Sequence, residues 1–243
     1  MRLRELVRGA AFYALFYLML AVGGLALMPF AMRSEKAAIR ASKLWFRVLF
    51  KVLRAVAGVR VEVRGAPPRG RALVGAKHGS MLDVFILFHA LEEARFVMKR
   101  ELTRAPIFGW FALRVGAVPV DRGGGREAAR SMAQALLRGP RARGQMVIYP
   151  QGTRTPPGEA RPWKPGVWHI YQETGLACTP AATNAGWLLP RGLRVRPGVA
   201  VVEFLEPIPP GLDRAAFMAR LEREAEAASA RLGEGLAAPS ASR

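Results

Sequence analysis

Hydrophobic and polar positions divide the chain into two contrasting parts. Residues 9–32 form a run of 24 residues without a formal charge. As a helix this run would extend about 36 Å, enough to cross a hydrocarbon core of about 30 Å. It is too long for the core of a signal peptide and lacks a typical cleavage site, so we expect it in the mature protein. Gly23, Gly24 and Pro29 leave open whether it spans the membrane or dips into one leaflet as a bent hairpin.

The next segment shows a helical distribution of cations. Basic residues recur every three or four positions and share one stripe of the helix, while apolar side chains occupy most of the rest. These basic residues are Lys36, Arg40, Lys43, Arg47, Lys51 and Arg54. The pattern fits a helix packed on a soluble core or a helix lying in a membrane interface, with its bases on anionic headgroups. The adjacent uncharged run favours the interface, so we predict that residues 1–58 form a membrane anchor with a cationic interfacial helix.

From residue 59 onward, short apolar runs alternate with helical patterns. This alternation is typical of an α/β domain with a mostly parallel sheet flanked by helices, which we place at residues 59–232. Strands are expected near 59–64, 72–76, 95–98, 117–120, 145–149, 177–183 and 199–204, and helices near 81–91, 101–113, 126–138, 166–174 and 213–232. The last helix should cover the sheet, and residues 233–243 should form a flexible tail.

The charge balance points to a polyanionic partner. The chain of 243 residues has 37 Lys and Arg against 18 Asp and Glu, a formal net charge of +19. Twelve of the bases and only three of the acids fall in residues 1–64, the part expected to face the membrane. Because about half of the excess charge lies there, we expect anionic lipid headgroups as partners and no nucleic acid.

The first candidate for chemistry is a histidine and an aspartate five positions apart. His78 follows the strand pattern at 72–76, and Asp83 falls in the first turn of the next predicted helix. If they meet, the carboxylate would fix the imidazole tautomer and leave the other ring nitrogen free as a base. The segment Ser80-Met81-Leu82-Asp83 also fits a capping box, which would give Asp83 a structural role.

Cations follow three other predicted strands. Arg122 ends the segment Gly116-Ala117-Val118-Pro119-Val120-Asp121-Arg122, Arg154 ends Tyr149-Pro150-Gln151-Gly152-Thr153-Arg154, and Lys99 follows the strand near 95–98. A single arginine at such a position is usually a solvated surface charge. Together, at the ends of strands where open α/β sheets gather ligand groups, they predict a site for a dianion such as a phosphate monoester.

These segments resemble the four motifs of the glycerolipid acyltransferase family. The matching residues, in order, are His78 with Asp83, the segment ending at Arg122, the segment ending at Arg154, and Thr179-Pro180-Ala181. The resemblance extends from about residue 44 to residue 205. It implies an enzyme that transfers a fatty acyl group from a thioester, acyl-CoA or acyl carrier protein, to the sn-2 hydroxyl of lysophosphatidic acid, giving phosphatidic acid.

The resemblance also implies a role for each site residue. His78 would take the proton from the acceptor hydroxyl as it attacks the thioester, and Asp83 would orient the imidazole. The acceptor would be bound by Lys99, Gly116, Arg122, Gln151, Gly152, Thr153 and Arg154. Thr179-Pro180-Ala181 would shape the side of the acyl donor. The family implies a bacterial inner membrane location, and the larger number of bases after Met32 than before Gly9 places the catalytic domain in the cytoplasm.

The sequence departs from the family pattern at two positions. Gln151 stands where a glutamate is common, and Lys77 stands where an asparagine commonly precedes the histidine. An amide cannot carry charge, so we favour a binding or loop-shaping role for Gln151.

Other chemistries lack their sequence signatures. No G-x-S-x-G elbow occurs, and Cys178 falls in an apolar strand pattern, which indicates packing rather than a nucleophile. We therefore expect direct attack without an acyl-enzyme, no metal and no cofactor beyond the thioester co-substrate. Two alternatives stay open: an acceptor such as a lyso-ornithine lipid, and a catalytically silent membrane-binding protein.

Overall fold

Seven strands form one sheet in the computed structural model, which describes residues 2–120, 130, 133–134 and 144–236. The strands are β1 (Val59–Arg64), β2 (Ala72–Ala76), β3 (Ala94–Lys99), β4 (Val118–Val120), β5 (Gln145–Ile148), β6 (Cys178–Thr183) and β7 (Gly198–Phe204). Their order across the sheet is β1-β7-β6-β2-β5-β3-β4. All neighbours are parallel except β6 and β7, which are antiparallel. The predicted α/β class with a mostly parallel sheet is confirmed.

Helices precede the sheet and pack around it. They are α1 (Arg2–Met32), α2 (Glu35–Ala57), α3 (Met81–Ala90), a 3-10 helix (Arg100–Arg104), α4 (Phe108–Arg114), α5 (Gly166–Thr174), α6 (Ala185–Leu188) and α7 (Arg214–Gly233). The helix α6 was not predicted. The helix predicted near 126–138 lies mostly outside the described residues, as does most of the predicted tail. The division into an anchor at 1–58 and a domain at 59–232 stays a prediction.

The prediction of a single helix near 101–113 was wrong, because the structure has two separate helices there, the 3-10 helix and α4. Pro106 disfavours helical backbone at the residue before it, and Ala105 is accordingly extended, with φ −66° and ψ 123°. Ile107 then takes a left-handed φ of 62° before α4 begins. The chain therefore turns sharply between the 3-10 helix and α4.

The first two helices form an antiparallel pair. Ser34 caps α2 by accepting a hydrogen bond from the Ala37 backbone N–H at 3.0 Å, and Gly58 ends α2 in the left-handed conformation. The Trp45 indole N–H of α2 donates to the Met19 carbonyl of α1 at 3.0 Å. The predicted cations of α2 are exposed, apart from the half-buried Lys43, which donates to the Leu91 carbonyl.

The helix α1 contacts the α/β part near both of its ends. At its start, the Glu5 carbonyl accepts from the Val195 N–H at 3.2 Å, and the Glu5 carboxylate lies 3.7 Å from the Arg196 guanidinium. At its end, Arg114 of α4 donates to the Met32 carbonyl at 2.6 Å. The helix is continuous through Gly23, Gly24 and Pro29, so it does not form the bent hairpin considered above.

The parallel strands bring two loops to the same edge of the sheet. In the register of β2 and β5, Gly75 lies opposite Ile148. The chain that leaves β2 toward His78 therefore emerges beside the chain that leaves β5 toward Tyr149. The helix α7 packs against the sheet through Phe217, Leu221 and other buried apolar residues, as predicted for a covering helix.

Asn184 joins three elements at the end of β6. Its side-chain amide donates to the carbonyls of Val199 and Leu232, each at 3.0 Å, and its oxygen accepts from the Val201 N–H at 2.7 Å. The residue is buried, so water does not replace these partners when the side chain is removed. Asn184 therefore links β6, β7 and α7.

Replacing Asn184 with alanine should destabilise the fold. Three backbone groups, among them the buried N–H of Val201, would lose their partners, and we expect a loss of about 3 kcal/mol in the free energy of unfolding. Urea denaturation followed by tryptophan fluorescence measures this loss. Arg223→Ala, at an exposed position of α7, is the control and should change stability by less than about 0.5 kcal/mol. Equal stability of the two variants would contradict this role.

Candidate active site

The structure brings His78 and Asp83 into direct contact. The imidazole Nδ1 lies 3.0 Å from Asp83 Oδ1. The Asp83 side chain is completely buried, whereas 17% of the His78 side chain is exposed. The histidine therefore presents its free ring nitrogen toward the surface of the site while the carboxylate holds it from behind.

The capping box predicted at the same residues is also present. The backbone N–H groups of Gly79 and Ser80 each donate to Asp83 Oδ2 at 2.8 Å, and the Ser80 hydroxyl accepts from the Leu82 N–H. The two interpretations of Asp83 are therefore compatible. One oxygen of the carboxylate caps α3 while the other accepts from the imidazole.

These contacts fix the tautomer of His78. Asp83 is an acceptor, so Nδ1 carries the proton that it donates, and Nε2 keeps a lone pair. The ring of Tyr149 stacks on the imidazole with 4.1 Å between centroids and 22° between planes. Burial raises the pKa of Tyr149 well above its usual value, and the negative charge of Asp83 acts in the same direction. The phenol therefore stays neutral and supports the imidazole from one face.

His78 lines a largely apolar cavity of about 810 Å³. This size lies within the range of roughly 300–1,000 Å³ that is usual for small-molecule sites. Much of its wall comes from aromatic side chains of the helices and of β3, namely Phe16, Trp45, Phe46, Phe85, Phe88, Phe96, Phe108 and Phe111. Leu20, Gly24 and Leu27 of α1 also line it, so the N-terminal helix pair closes the cavity on one side.

Two lysines line the cavity near the histidine. Lys99, at the end of β3, was predicted; its ammonium also forms an ion pair at 3.0 Å with Glu101. Lys164 was not among the predicted site residues. A Cβ atom placed on Gly152 would lie 3.4 Å from the Lys164 ammonium, so this cation lies against the loop after β5. Gly152 itself has a left-handed φ of 69°.

Thr153 and Arg154 lie beside the cavity rather than in its wall. Arg191, which sequence reasoning missed, donates to the Thr153 hydroxyl at 2.7 Å and to the Arg154 carbonyl at 2.9 Å. The Arg154 side chain extends toward α1, where its charge opposes the rise that burial causes in the pKa of Tyr13. The structure thus places Arg154 between the loop after β5 and the N-terminal helix.

Gln151 points into the protein interior. Its carbonyl oxygen accepts from the His78 N–H at 3.1 Å, and its amide nitrogen donates to Glu226 at 3.3 Å. The side chain is 1% exposed and is not part of the cavity wall. This placement fits the loop-shaping role considered for Gln151 and leaves neither end of its amide facing a substrate.

The remaining predicted residues differ in what the structure shows of them. Arg122 lies outside the described residues. Gly116 adopts a left-handed φ of 90° just before β4, between two residues that line the cavity. Thr179-Pro180-Ala181 forms the buried middle of β6 and does not contribute to the cavity wall.

The single cysteine has the environment of a packing residue. Cys178 is buried in β6, and burial raises the pKa of its thiol to about 12. A thiol held protonated in this way is a poor nucleophile. Among residues 2–120, 130, 133–134 and 144–236, no group of three or more His, Cys, Asp or Glu side chains is placed to hold a metal ion.

Comparison with known proteins identifies the family. The family model described as "Acyltransferase" matches residues 59–184, about half of the chain. The chain belongs to the acyltransferase family. The matched segment contains His78, Asp83 and the loop after β5. The residues of α1, α2 and α7 lie outside it.

Relatives of two kinds are similar to this acyltransferase. A 1-acyl-sn-glycerol-3-phosphate acyltransferase from Pseudomonas aeruginosa is 32% identical over 153 residues, covering 60% of this chain and 58% of the relative. A lyso-ornithine lipid O-acyltransferase from the same organism is 32% identical over 204 residues, covering 75% of this chain and 76% of the relative. The alignment with a Cocos nucifera 1-acyl-sn-glycerol-3-phosphate acyltransferase covers 57% of that protein.

A solved structure shares the fold across nearly the whole chain. The crystal structure of the 1-acyl-sn-glycerophosphate acyltransferase PlsC from Thermotoga maritima superposes with a TM-score of 0.77. The superposition covers 95% of this chain and 96% of that protein, at 21% sequence identity. The N-terminal helix pair is therefore part of the shared fold, together with the sheet.

Proposed function

We propose that this acyltransferase esterifies the free hydroxyl of lysophosphatidic acid with a fatty acyl group from a thioester. The observation that carries the proposal is the His78–Asp83 pair, whose imidazole lines an apolar cavity that two lysines also line. A base, an apolar binding space and cations are the three parts that acylation of an anionic lysolipid needs.

The reaction begins with proton transfer to His78. Nε2 accepts the proton of the acceptor hydroxyl as the hydroxyl oxygen attacks the thioester carbon. Asp83 keeps Nδ1 protonated and stabilises the imidazolium that forms. When the carbon–sulfur bond breaks, the imidazolium returns the proton to the leaving thiolate. The products are the ester and a free thiol, and no acyl-enzyme is needed.

The cavity is suited to hold the fatty acyl chain. Its aromatic and aliphatic wall extends from His78 to the residues of α1 and α2. An acyl chain in this space would place its carbonyl end near the imidazole and bury its methylene groups from water, each contributing about 0.8 kcal/mol.

The cations favour an acceptor with a phosphate group. Lys164 lies against Gly152 and lines the same cavity as His78, and it forms no salt bridge with a described residue. Lys99 lines the same cavity, and Arg154 follows at the edge of the loop. We assign these three side chains to the phosphate, with Arg191 holding the loop that presents Arg154. Gly116, Thr153 and Arg122 stay candidates for the acceptor site.

A second candidate acceptor is a lyso-ornithine lipid. The observation in its favour is the relative of that name, which aligns with three quarters of this chain. Such an acceptor lacks a phosphate monoester, so Lys164 would not form the ion pair that it is proposed to form with lysophosphatidic acid. The two acceptors can therefore be distinguished by how strongly they depend on this lysine.

The acyl donor is acyl-CoA or an acylated acyl carrier protein, and no further cofactor is required. Both donors carry phosphate groups, and the carrier protein is acidic. The net charge of +19 suits either one.

The N-terminal helices would bind the protein to one face of the membrane. The segment Leu3–Met32 is long and apolar enough to span a bilayer. However, α1 contacts the α/β part near both ends, through Glu5 and Met32, which is incompatible with a perpendicular crossing. Its exposed face carries Leu18, Val22 and Leu25. We place this face in the lipid and the cations of α2 on the headgroups, at the cytoplasmic side of a bacterial inner membrane.

Replacing the base should abolish transfer. His78→Ala should lower kcat by about 10²–10⁴-fold, the range for loss of a general base. Asp83→Asn should act similarly: its oxygen would face the two backbone N–H groups, its NH₂ would face Nδ1, and Nε2 would become protonated. The measurement is release of free thiol with lysophosphatidic acid as acceptor.

His89→Ala is the matched control for the base. This histidine lies on α3 and does not line the cavity, so the variant should keep kcat within about twofold. Unchanged turnover of His78→Ala would refute its role, provided that the variant binds vesicles as the native protein does.

Lys164 should determine affinity for the acceptor. Loss of a charge-assisted hydrogen bond predicts that Lys164→Ala raises KM for lysophosphatidic acid about tenfold or more. The KM for the thioester should stay nearly constant, and Lys164→Arg should keep most of the affinity. Arg161→Ala, an exposed neighbour, is the control. If lyso-ornithine lipid loses as much affinity as lysophosphatidic acid, the phosphate assignment is wrong.

A further inference from the structure

A polar cluster lies behind the histidine, and none of its four side chains lines the cavity. Lys77, Gln151 and Trp163 are buried, and 34% of the Glu226 side chain is exposed. Its centre is the carboxylate of Glu226 on α7. One oxygen accepts from Gln151 Nε2 at 3.3 Å and from the Trp163 indole N–H at 3.2 Å, and the other accepts from the Lys77 ammonium. Lys77 precedes His78 in the chain, and its side chain is only 8% exposed.

The cluster determines which way the Gln151 amide points. Glu226 can only accept hydrogen bonds, so Gln151 must turn its NH₂ group toward it. The carbonyl oxygen of Gln151 then faces the opposite way, where it accepts from the His78 backbone N–H at 3.1 Å. If the amide were reversed, two donors would face each other at His78.

The main chain of His78 is held on its other side as well. Its carbonyl oxygen accepts from the Thr155 N–H at 2.8 Å. The loop after β5 therefore holds both the N–H and the carbonyl of the base, and only the N–H contact depends on the orientation of a side chain. That orientation is set from α7.

We infer that Glu226 is a positioning residue for His78, acting through the amide of Gln151. The inference rests on the proposed function for its kinetic consequence, but the geometry concerns only how the main chain of His78 is held. Lys77 and Gln151 are part of the same arrangement, because each donates a hydrogen bond to the carboxylate of Glu226. Glu226 lies outside the segment 59–184 that the family model matches. It comes close to His78 because α7 packs against the sheet, and it is not part of the motifs.

The chemistry of the cluster predicts what each exchange would do. In Gln151→Glu, two carboxylates would face each other at the 3.3 Å contact. In Glu226→Gln, the Lys77 ammonium would attract the new carbonyl oxygen, so the new NH₂ group would face the NH₂ group of Gln151. In the double variant, the carboxylate at 151 accepts from both His78 and the amide at 226, whose oxygen accepts from Lys77. The exchange thus restores every contact to Lys77 and His78, and only the Trp163 indole N–H loses its acceptor.

A double-mutant cycle tests the inference. Gln151→Glu and Glu226→Gln should each lower kcat about tenfold or more with the thioester KM nearly unchanged, and the double variant should return to within about threefold of the native kcat. Turnover is measured well below the lowest unfolding midpoint of the set, so that every variant is folded. If Gln151→Glu does not fold, Glu226→Gln alone carries the test through its kcat.

Trp163→Phe separates positioning from stability. It removes a donor to the same Glu226 oxygen but does not touch the path through Gln151 to His78. We expect it to lower the unfolding midpoint and to leave kcat within about twofold of the native value. If kcat instead follows the midpoint across all variants, or if the double variant is folded but stays slow, the cluster is only structural and the inference fails.

The NMR signals of the His78 imidazole test this inference independently of the proposed function. The chain has three histidines, so the ¹⁵N signals of labelled imidazoles can be assigned with His78→Ala. Gln151→Glu should shift the His78 signals, the double variant should return them to the native positions, and Trp163→Phe should leave them there. This result would support the inference even if no lysolipid were acylated, and unshifted signals in Gln151→Glu would overturn it.

Discussion

A fully buried carboxylate is the constraint on which the site depends. Asp83 has no contact with water, and removing a charge from water is costly unless every lone pair finds a donor. Its donors are the backbone N–H groups of Gly79 and Ser80 and the imidazole of His78. The first turn of α3 must therefore begin immediately after β2, and the histidine must lie in the turn between them. The same contacts that begin the helix aim the base.

The sheet and the N-terminal helices give this pair its setting. Parallel pairing of β2 with β5 brings the loop of Tyr149 and Gln151 beside His78, one residue supporting the ring and the other the main chain. The helices α1 and α2 then cover the remaining side with aromatic and aliphatic groups, leaving an apolar space that the imidazole lines. In the proposed function, the helices that hold the protein on lipid are also those that enclose the acyl chain.

The sequence predicted the features that are local in the chain. Strands β1 and β2 were placed at their observed residues, and the spacing of His78 and Asp83 indicated both the contact and the capping box. The features it missed depend on distant contacts. Lys164 lies against Gly152 in the same cavity wall, and Glu226 contacts Gln151 across 75 positions of sequence. The segment Trp163-Lys164-Pro165-Gly166-Val167-Trp168 was the one signal in the sequence that could have indicated Lys164. Neither Arg191 nor Glu226 lies in a motif, so only the folded chain shows their contacts.

The most direct test is an acyl-transfer assay with the purified protein on vesicles. A panel of lysolipid acceptors, including lysophosphatidic acid and lyso-ornithine lipid, is offered with acyl-CoA and with acylated acyl carrier protein. We expect acyl transfer to lysophosphatidic acid with at least one donor, and slower transfer to acceptors without a phosphate monoester. Absence of transfer to every acceptor with both donors, from protein that is folded and bound to the vesicles, would contradict it.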